Sequence, residues 1–415
     1  MRRALIIGAT MAAGLAAAAW IASGSPASDR SDAESERREE LRVEVTPEME
    51  RHSRIRNILY FAGSAWLWGA LWIVLKLGWS SRLRRIAERV SGKRFLRDAL
   101  WFGMFLVTMG CLLFPLDLYG GFIVPHQFDL SNQTFLEWLG ESLKALAVAV
   151  VVGSPIAAGA MLLIRRKPER WWAWLWAGTI PLTVVSVLLS PLVIEPLFNE
   201  FRRLDDRGLE RRLLTLASTV GIEGSDVFQV DKSKQTKTMN AYVTGLGVSK
   251  RIVIWDTLLE KMEDDEVVFV MAHEMGHYVR HDIWKGMAFG IAVMFGVFWL
   301  GSRIAERGVE RYGKEWGVEA LDDPAAIPWY LLVLAVMTFL LSPLFAGYSR
   351  NVEHAADVFA LEYTGMNEAG ARAFIKLAEG SKVDPDPHPF IRFWRYSHPP
   401  LSERIDFALS YERRR

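Results

Sequence analysis

Cysteine is almost missing: Cys111 is the single one in 415 residues. An internal disulfide is therefore impossible, and disulfide scaffolds and cysteine-rich zinc modules are excluded. Net charge is almost missing too, with 49 Lys and Arg against 48 Asp and Glu. That balance offers no electrostatic case for nucleic acid as a partner. Charged residues reach only 23%, which excludes a disordered, solvated chain. Apolar mass is what the chain has in excess: 51% hydrophobic residues, with 17 Trp and 22 Phe.

That mass is gathered into seven blocks: Ala4–Ala22, Asn57–Trp79, Ala99–Phe122, Ala145–Ile164, Trp171–Ile194, Trp284–Leu300 and Pro328–Tyr348. A hydrocarbon core of ~30 Å needs ~20 helical residues, so each block is a spanning candidate. Lys76, Asp117 and Lys285 are the only charges inside them, and each lies near an end. Trp gathers at the block ends, as an aromatic belt does. Residues 1–28 read equally as a cleaved signal segment or a first transmembrane helix.

Residues 29–56 are dense in both charges and read as a connector or surface helix. Residues 57–194 then hold transmembrane helices, and 195–283 an aqueous catalytic domain. In that domain Leu209–Val220 has helical spacing. Val227–Val230, Ala241–Leu246 and Ile252–Trp255 read as short strands, and Asp264–His281 as a helix. Residues 284–348 carry the last two spans, and 349–415 form a C-terminal segment. The expected fold class is mostly α, a polytopic membrane chain of six or seven spans with a small α+β aqueous domain.

His273-Glu274-Met275-Gly276-His277 contains H-E-x-x-H. On a helix, positions i and i+4 share a face, so both imidazoles can close on one zinc ion. Glu274 is placed to take a proton from water rather than to bind metal. Glu263, Asp264, Asp265 and Glu266 complement the N-terminal dipole of that helix. Six of the eight histidines lie between His273 and His398.

Zinc needs a third protein ligand, and His281, His354 and Glu353 are the candidates. His281 lies eight residues from His273, a rise of ~12 Å, too far to share the ion easily. Glu353 and Asp357 stand at i and i+4 on one helical face. That spacing lets Glu353 bind metal while Asp357 orients a ligand histidine. His354 points away from both. Ile283 occupies the position where a metzincin needs histidine, which excludes that class. Near the C-terminus, Ser397-His398-Pro399-Pro400 sets a histidine before two rigid prolines. His398 could donate to a tetrahedral oxyanion, with Arg404 as a further donor or an anchor.

Taken together, these residues resemble the integral-membrane zinc CAAX prenyl endopeptidases, a seven-helix gluzincin family. The resemblance rests on Pro196–Asn199, Asn240–Tyr242, Lys250–Leu259, His273–His277, Ser349–Asp357 and Ser397–Arg404, in family order over residues 110–410. It implies one zinc held by His273, His277 and Glu353, with Glu274 as base, Asp357 behind the ligands and His398 on the oxyanion. It also implies that the spans form a helical barrel around a large water-filled chamber, that the aqueous domain is zincin-like, and that Asn240 and Ala241 bind the substrate backbone. The stretch Phe122–Phe128 lacks the acidic pair the family carries after the position of Tyr119.

The expected function is hydrolysis of peptide bonds in membrane-associated proteins or peptides, with or without a lipid attached. The partners are such substrates and membrane lipids, with no nucleic acid. Two alternatives stand beside it: a heat-shock-type quality-control membrane zinc protease with fewer spans, and a non-enzymatic polytopic binding or transport protein. The chain is expected in the cell membrane as a multi-pass protein. Basic residues concentrate at Arg82–Arg97 and Arg165–Arg170, which places the zinc domain on the non-cytoplasmic side. The resemblance to eukaryotic members implies the cytosol instead.

Overall fold

Six of the seven apolar blocks fall among the residues that the computed structural model describes: 41–222, 224, 226–245 and 250–413. The block Ala4–Ala22 lies outside them. The chain divides into Met1–Arg42 and Val43–Arg415, and every element below belongs to the second unit.

Helix α1 (Pro47–Lys76) starts ten residues before its apolar block. Thr46 caps it by accepting from Met49 N–H at 3.2 Å, and Pro47 supplies the fixed φ suited to a first turn. Residues 47–56 are thus not a connector but the aqueous end of the first described span. Buried Met49, His52 and Ser53 explain why this charged stretch is helical: it packs on the C-terminal segment, where His52 Nδ1 meets Lys382 O at 2.8 Å. Next come α2 (Trp79–Val90) and α3 (Arg94–Leu118). A π-turn at Tyr119–Ile123 extends α3 to Gln127, so the segment after Tyr119 is helical rather than a loop. Helices α4 (Phe135–Arg166) and α5 (Trp171–Leu189) complete the first four spans.

A four-stranded sheet follows, in the order β1-β2-β4-β3. It comprises β1 (Phe201–Arg203), β2 (Asp226–Val230), β3 (Ala241–Thr244) and β4 (Arg251–Trp255). β2 and β4 are parallel and the outer pairings antiparallel. β1, only three residues long, has no readable period. Helix α6 (Arg207–Thr219) lies between β1 and β2, and the short α7 (Asp256–Lys261) leads into α8 (Asp264–Val279). The apolar faces of these elements form one core with Leu213, Ile252, Ile254, Phe269 and Met271 at its centre.

Helix α9 (Asp282–Trp316) runs well beyond its apolar block, carrying Arg303, Arg307, Arg311 and Lys314 out of the lipid. The last block is broken. α10 (Ile327–Leu340) and α11 (Ser342–Thr364) meet at 49°. Pro343, in the first turn of α11, has no N–H, and its ring displaces the carbonyl of the preceding turn. The division expected at residues 348 and 349 therefore falls inside a helix. Helices α12 (Asn367–Ser381), α13 (Pro389–Arg395) and α14 (Leu401–Ser410) end the chain. Among the described residues, five helices are long and apolar enough to cross a membrane alone, and the bent pair makes a sixth.

Candidate active site

Helix α8 is fixed at both ends. At its start, Glu263 and Glu266 form a reciprocal capping box, with Glu263 N–H donating to Glu266 at 2.8 Å. Glu266 is fully buried and also accepts from Arg372 at 3.2 Å and Lys376 at 2.7 Å, which ties α12 to this turn. At its end, His281 takes a left-handed conformation (φ 57°) and turns the chain into α9. His281 therefore shapes the turn and stays outside the cluster of candidate ligands.

In between, Gly276 faces α11. A Cβ there would stand 3.0 Å from Phe359 Cδ1, so in this close helix approach any other residue would make Phe359 give by a few tenths of an ångström. The approach brings Glu353 to the two histidines. His273 Nε2 lies 3.1 Å from His277 Nε2 and 3.2 Å from Glu353 Oε2. His277 Nε2 is 3.6 Å from Glu353 Oε1. A tetrahedral ion with ligand bonds of ~2.0–2.2 Å separates its donor atoms by about 3.3–3.6 Å, so the three groups fit one small divalent ion.

The hydrogen bonds behind these groups sharpen that fit. His273 Nδ1 meets Asp357 Oδ1 at 2.8 Å, and His277 Nδ1 meets Asp282 Oδ2 at 3.2 Å. Each Nδ1–H is thereby occupied, which turns both Nε2 lone pairs toward the carboxylate. Glu353 Oε2 is buried with no hydrogen-bond partner. Acceptors that face one another in this way require a proton or a cation among them. Burial alone would lower the His273 pKa, but hydrogen bonds with Asp357 and Glu353 outweigh it and raise the group to about 9. The ligand set thus competes with protons for the same space.

The other expected residues surround this cluster. Glu274 shares the cavity with His273 and His398, and burial raises its carboxyl above the ordinary range, as a general base near neutrality needs. His398 Nε2 sits 3.3 Å from Glu353 Oε2, while its Nδ1 is 2.9 Å from Ser397 Oγ. Partial desolvation lowers its pKa although the side chain remains half exposed, which favours a neutral ring whose Nε2–H faces the cavity when Ser397 donates to Nδ1. Arg404 donates to both Asp357 oxygens, at 2.6 and 2.9 Å, and stacks 4.1 Å from the Phe374 ring. Of its two expected roles, these bonds describe the anchor. Asn240 and Ala241 line the same cavity at the start of β3, the sheet's edge next to β4. His354 stands apart, against Phe407.

Sequence reasoning missed two residues. Asp282 has the wrong spacing for the His277 face of a continuous helix. It reaches His277 only because the chain turns at His281. Arg350 donates to the carbonyls of Arg392 at 3.0 Å and Tyr396 at 2.7 Å, so α11 also holds the strand that presents His398. An arginine one turn before Glu353 was the available signal.

Two histidines and a glutamate placed so that they could hold one metal ion, on a fold whose helices are long and apolar enough to cross a membrane, point to an integral-membrane metallopeptidase. Comparison with known proteins supports that class. Residues 203–412 match the model of peptidase family M48, and residues 35–200 match the CAAX prenyl protease N-terminal region of five membrane helices. A Bacillus subtilis protein named uncharacterized metalloprotease YhfN is 32% identical over 86% of this chain and 84% of its own. CAAX prenyl protease 1 of Saccharomyces cerevisiae is 31% identical over 72% of this chain and 68% of its own. The crystal structure of S. mikatae Ste24p superposes with a TM-score of 0.74 at 25% identity, covering 87% of this chain and 86% of that one. The chain belongs to peptidase family M48, as a multi-pass membrane metalloendopeptidase acting on peptide or protein substrates. The transport alternative has no support here. The matched five-helix region and the Ste24p fold favour the CAAX-protease type over the heat-shock type.

Proposed function

We propose that this enzyme holds one zinc ion through His273, His277 and Glu353 and cleaves peptides that reach the cavity from the membrane. The observation that carries the reading is the convergence of the three donor groups, all within 4.8 Å of one another, with His273 lining the cavity that also holds Glu274 and His398. Imidazole and carboxylate donors in near-tetrahedral array suit zinc. When bound, the ion supplies Lewis-acid activation of water and of the scissile carbonyl. The chain's own groups do the rest. Glu274 takes the proton from the attacking water and returns it to the leaving amine. His398 donates to the developing oxyanion. Asp357, held by Arg404, and Asp282 keep the two imidazoles in the tautomer that presents Nε2. The backbone at Asn240 and Ala241, on an edge strand, receives an extended peptide. Glu274→Gln should keep one zinc per chain by elemental analysis and lose about 10²–10⁴-fold in peptide cleavage. Undiminished cleavage would remove Glu274 from the mechanism.

The substrates are membrane-associated peptides, including lipid-modified ones of the kind named for the similar CAAX proteases. The catalytic domain faces the non-cytoplasmic side. The chain between α1 and α3, the α4–α5 turn and the outer end of α9 all share the end of the bundle opposite the active site. They carry Arg82, Arg85, Arg89, Arg166, Lys167, Arg170, Arg307 and Lys314, and such a basic end stays in the cytoplasm. A compartment-sensitive reporter fused after Arg415 should be active only outside the cytoplasm. Cytoplasmic activity would reverse the assignment.

A further inference from the structure

Two hollows flank α1. On one side Arg56, Leu59, Tyr60, Gly63 and Leu67 line a cavity of about 910 Å³ shared with α3 and α4. On the other, Arg54, Ile58, Phe61 and Ala62 line an open groove of about 710 Å³, which Asp384, His388 and Ile391 of the C-terminal segment complete. At ~100° of helix per residue the two sets stand about half a turn apart, so the groove faces away from the space between α1, α3 and α4. Further along α1, Trp72 and Ile73 stand exposed on the same side as the groove, which makes that side the lipid face.

The groove straddles the edge of the hydrocarbon. The apolar block of α1 begins at Asn57, so Ile58 and Phe61 stand only about 1.5 and 6 Å inside it. Ile58 is 60% exposed. Helix α13 sits at this depth: Phe390 stacks on Phe61 at 6.0 Å, and Trp394 packs on Phe339 of α10 at 5.2 Å. Phe390 and Phe393 are half exposed there, as aromatics in the interfacial layer are. One turn nearer the water the chemistry changes. Arg54 brings a positive charge to the groove, and Glu50 and Asp384 bring negative ones. Among the described residues, no hydrogen bond or ion pair engages the side chain of Arg54 or Glu50. An apolar floor below one guanidinium and two carboxylates complements a zwitterionic phospholipid, with phosphate on the arginine and ammonium on the carboxylates. Helix α13 also leads directly into the active site. Arg350 of α11 donates to the carbonyls of Arg392 and Tyr396, which ties α13 and the strand bearing His398 into one unit.

We propose that this groove holds one zwitterionic phospholipid of the bilayer and that the bound lipid seats α13, and with it His398, over the active site. The acyl chain lies along Ile58, Phe61 and Ile391, and the headgroup sits between Arg54 and the carboxylates of Glu50 and Asp384. Residues of α13 act here as positioning residues, since they touch lipid and not substrate. The lipid site stands on the groove alone. Its link to His398 rests on the peptidase reading above.

The probes are phosphatidylethanolamine, phosphatidylcholine and phosphatidylglycerol with identical acyl chains. By native mass spectrometry, delipidated full-length protein should retain one phosphatidylethanolamine per chain, about tenfold more tightly than phosphatidylglycerol. Phosphatidylcholine, whose nitrogen has no N–H to donate, should fall between them. Arg54→Gln should remove the preference, and Arg54→Lys should restore part of it. A nitroxide on Phe393→Cys, in a Cys111→Ser background, should lose mobility as phosphatidylethanolamine is added. In cleavage of a quenched fluorescent peptide, the same lipid should raise kcat and leave KM nearly unchanged, because His398 acts on the transition state. Equal retention of the three lipids, a preference for phosphatidylglycerol, or a preference that survives Arg54→Gln would overturn the site. A label and a kcat that both ignore the bound lipid would overturn its link to His398. Selective lipid retention in a protein that cleaves no peptide would count against the peptidase reading and leave the lipid site standing.

Discussion

At the scale of single residues, the metal site is a contest between a cation and a proton. In the metal-free protein His273 is held at about 9, so at neutral pH it carries a proton that a bound ion must displace. The sign follows directly. Below about 9, each fall of one pH unit should weaken metal affinity about tenfold, and above it the dependence should flatten. Competition with a chelator from about pH 6 to about pH 10 would measure the slope, and a flat profile would show that His273 binds no displaced proton. The proposed ligands could be picked out in the sequence, since H-E-x-x-H and the Glu353–Asp357 spacing need only helical geometry. Asp282 was not, because its reach to His277 depends on one left-handed residue at His281.

At the scale of elements, the site depends on how closely two helices approach. α8 and α11 meet at Gly276 and Phe359 so closely that a Cβ on residue 276 would stand 3.0 Å from the Phe359 ring. Gly276→Val should cost about 1–3 kcal/mol of stability through overpacking. It should also push Glu353 away from the histidines, so thermal unfolding and metal content should fall together. Full metal loading in a destabilised variant would show that α11 repositions without harm. Helix existence was readable throughout, because periodicity and apolar length are local properties. Element ends were not. α1 begins ten residues early because its polar first turns bury against the C-terminal segment. Pro343 breaks the last span in the middle of an unbroken apolar run, and β1 exists only by pairing with β2.

At the scale of the whole molecule, the spans enclose space as well as filling the bilayer. Cys111 is exposed and lines a 910 Å³ cavity among the membrane helices. As the chain's only cysteine it reports on that cavity cleanly. A small water-soluble maleimide should label it to one equivalent in purified protein, and filling the cavity with an apolar ligand should slow the reaction. An unreactive thiol would mean the cavity is closed to water. The far end of the molecule is locked by contrast. Ser80 Oγ donates to Ala325 O at 2.7 Å and Trp101 Nε1 to Ser80 O at 3.0 Å, beside the Arg165–Asp98 pair.

The sequence by itself determined that the chain spans a membrane, that an aqueous portion carries H-E-x-x-H, and which family the motifs belong to. Each of these rests on local spacing or on apolar length, which need no knowledge of distant contacts. Only the tertiary structure decided that Glu353 reaches the histidines from a helix rooted in the lipid. It also decided that Asp282 turns back to His277, and that Arg56 and Arg395, 339 positions apart in the chain, share one cavity wall. Those relations arise from the packing of elements remote in sequence, and no periodicity encodes them. The near absence of cysteine and net charge excluded whole classes of protein, but which charged side chains meet could be read only in three dimensions.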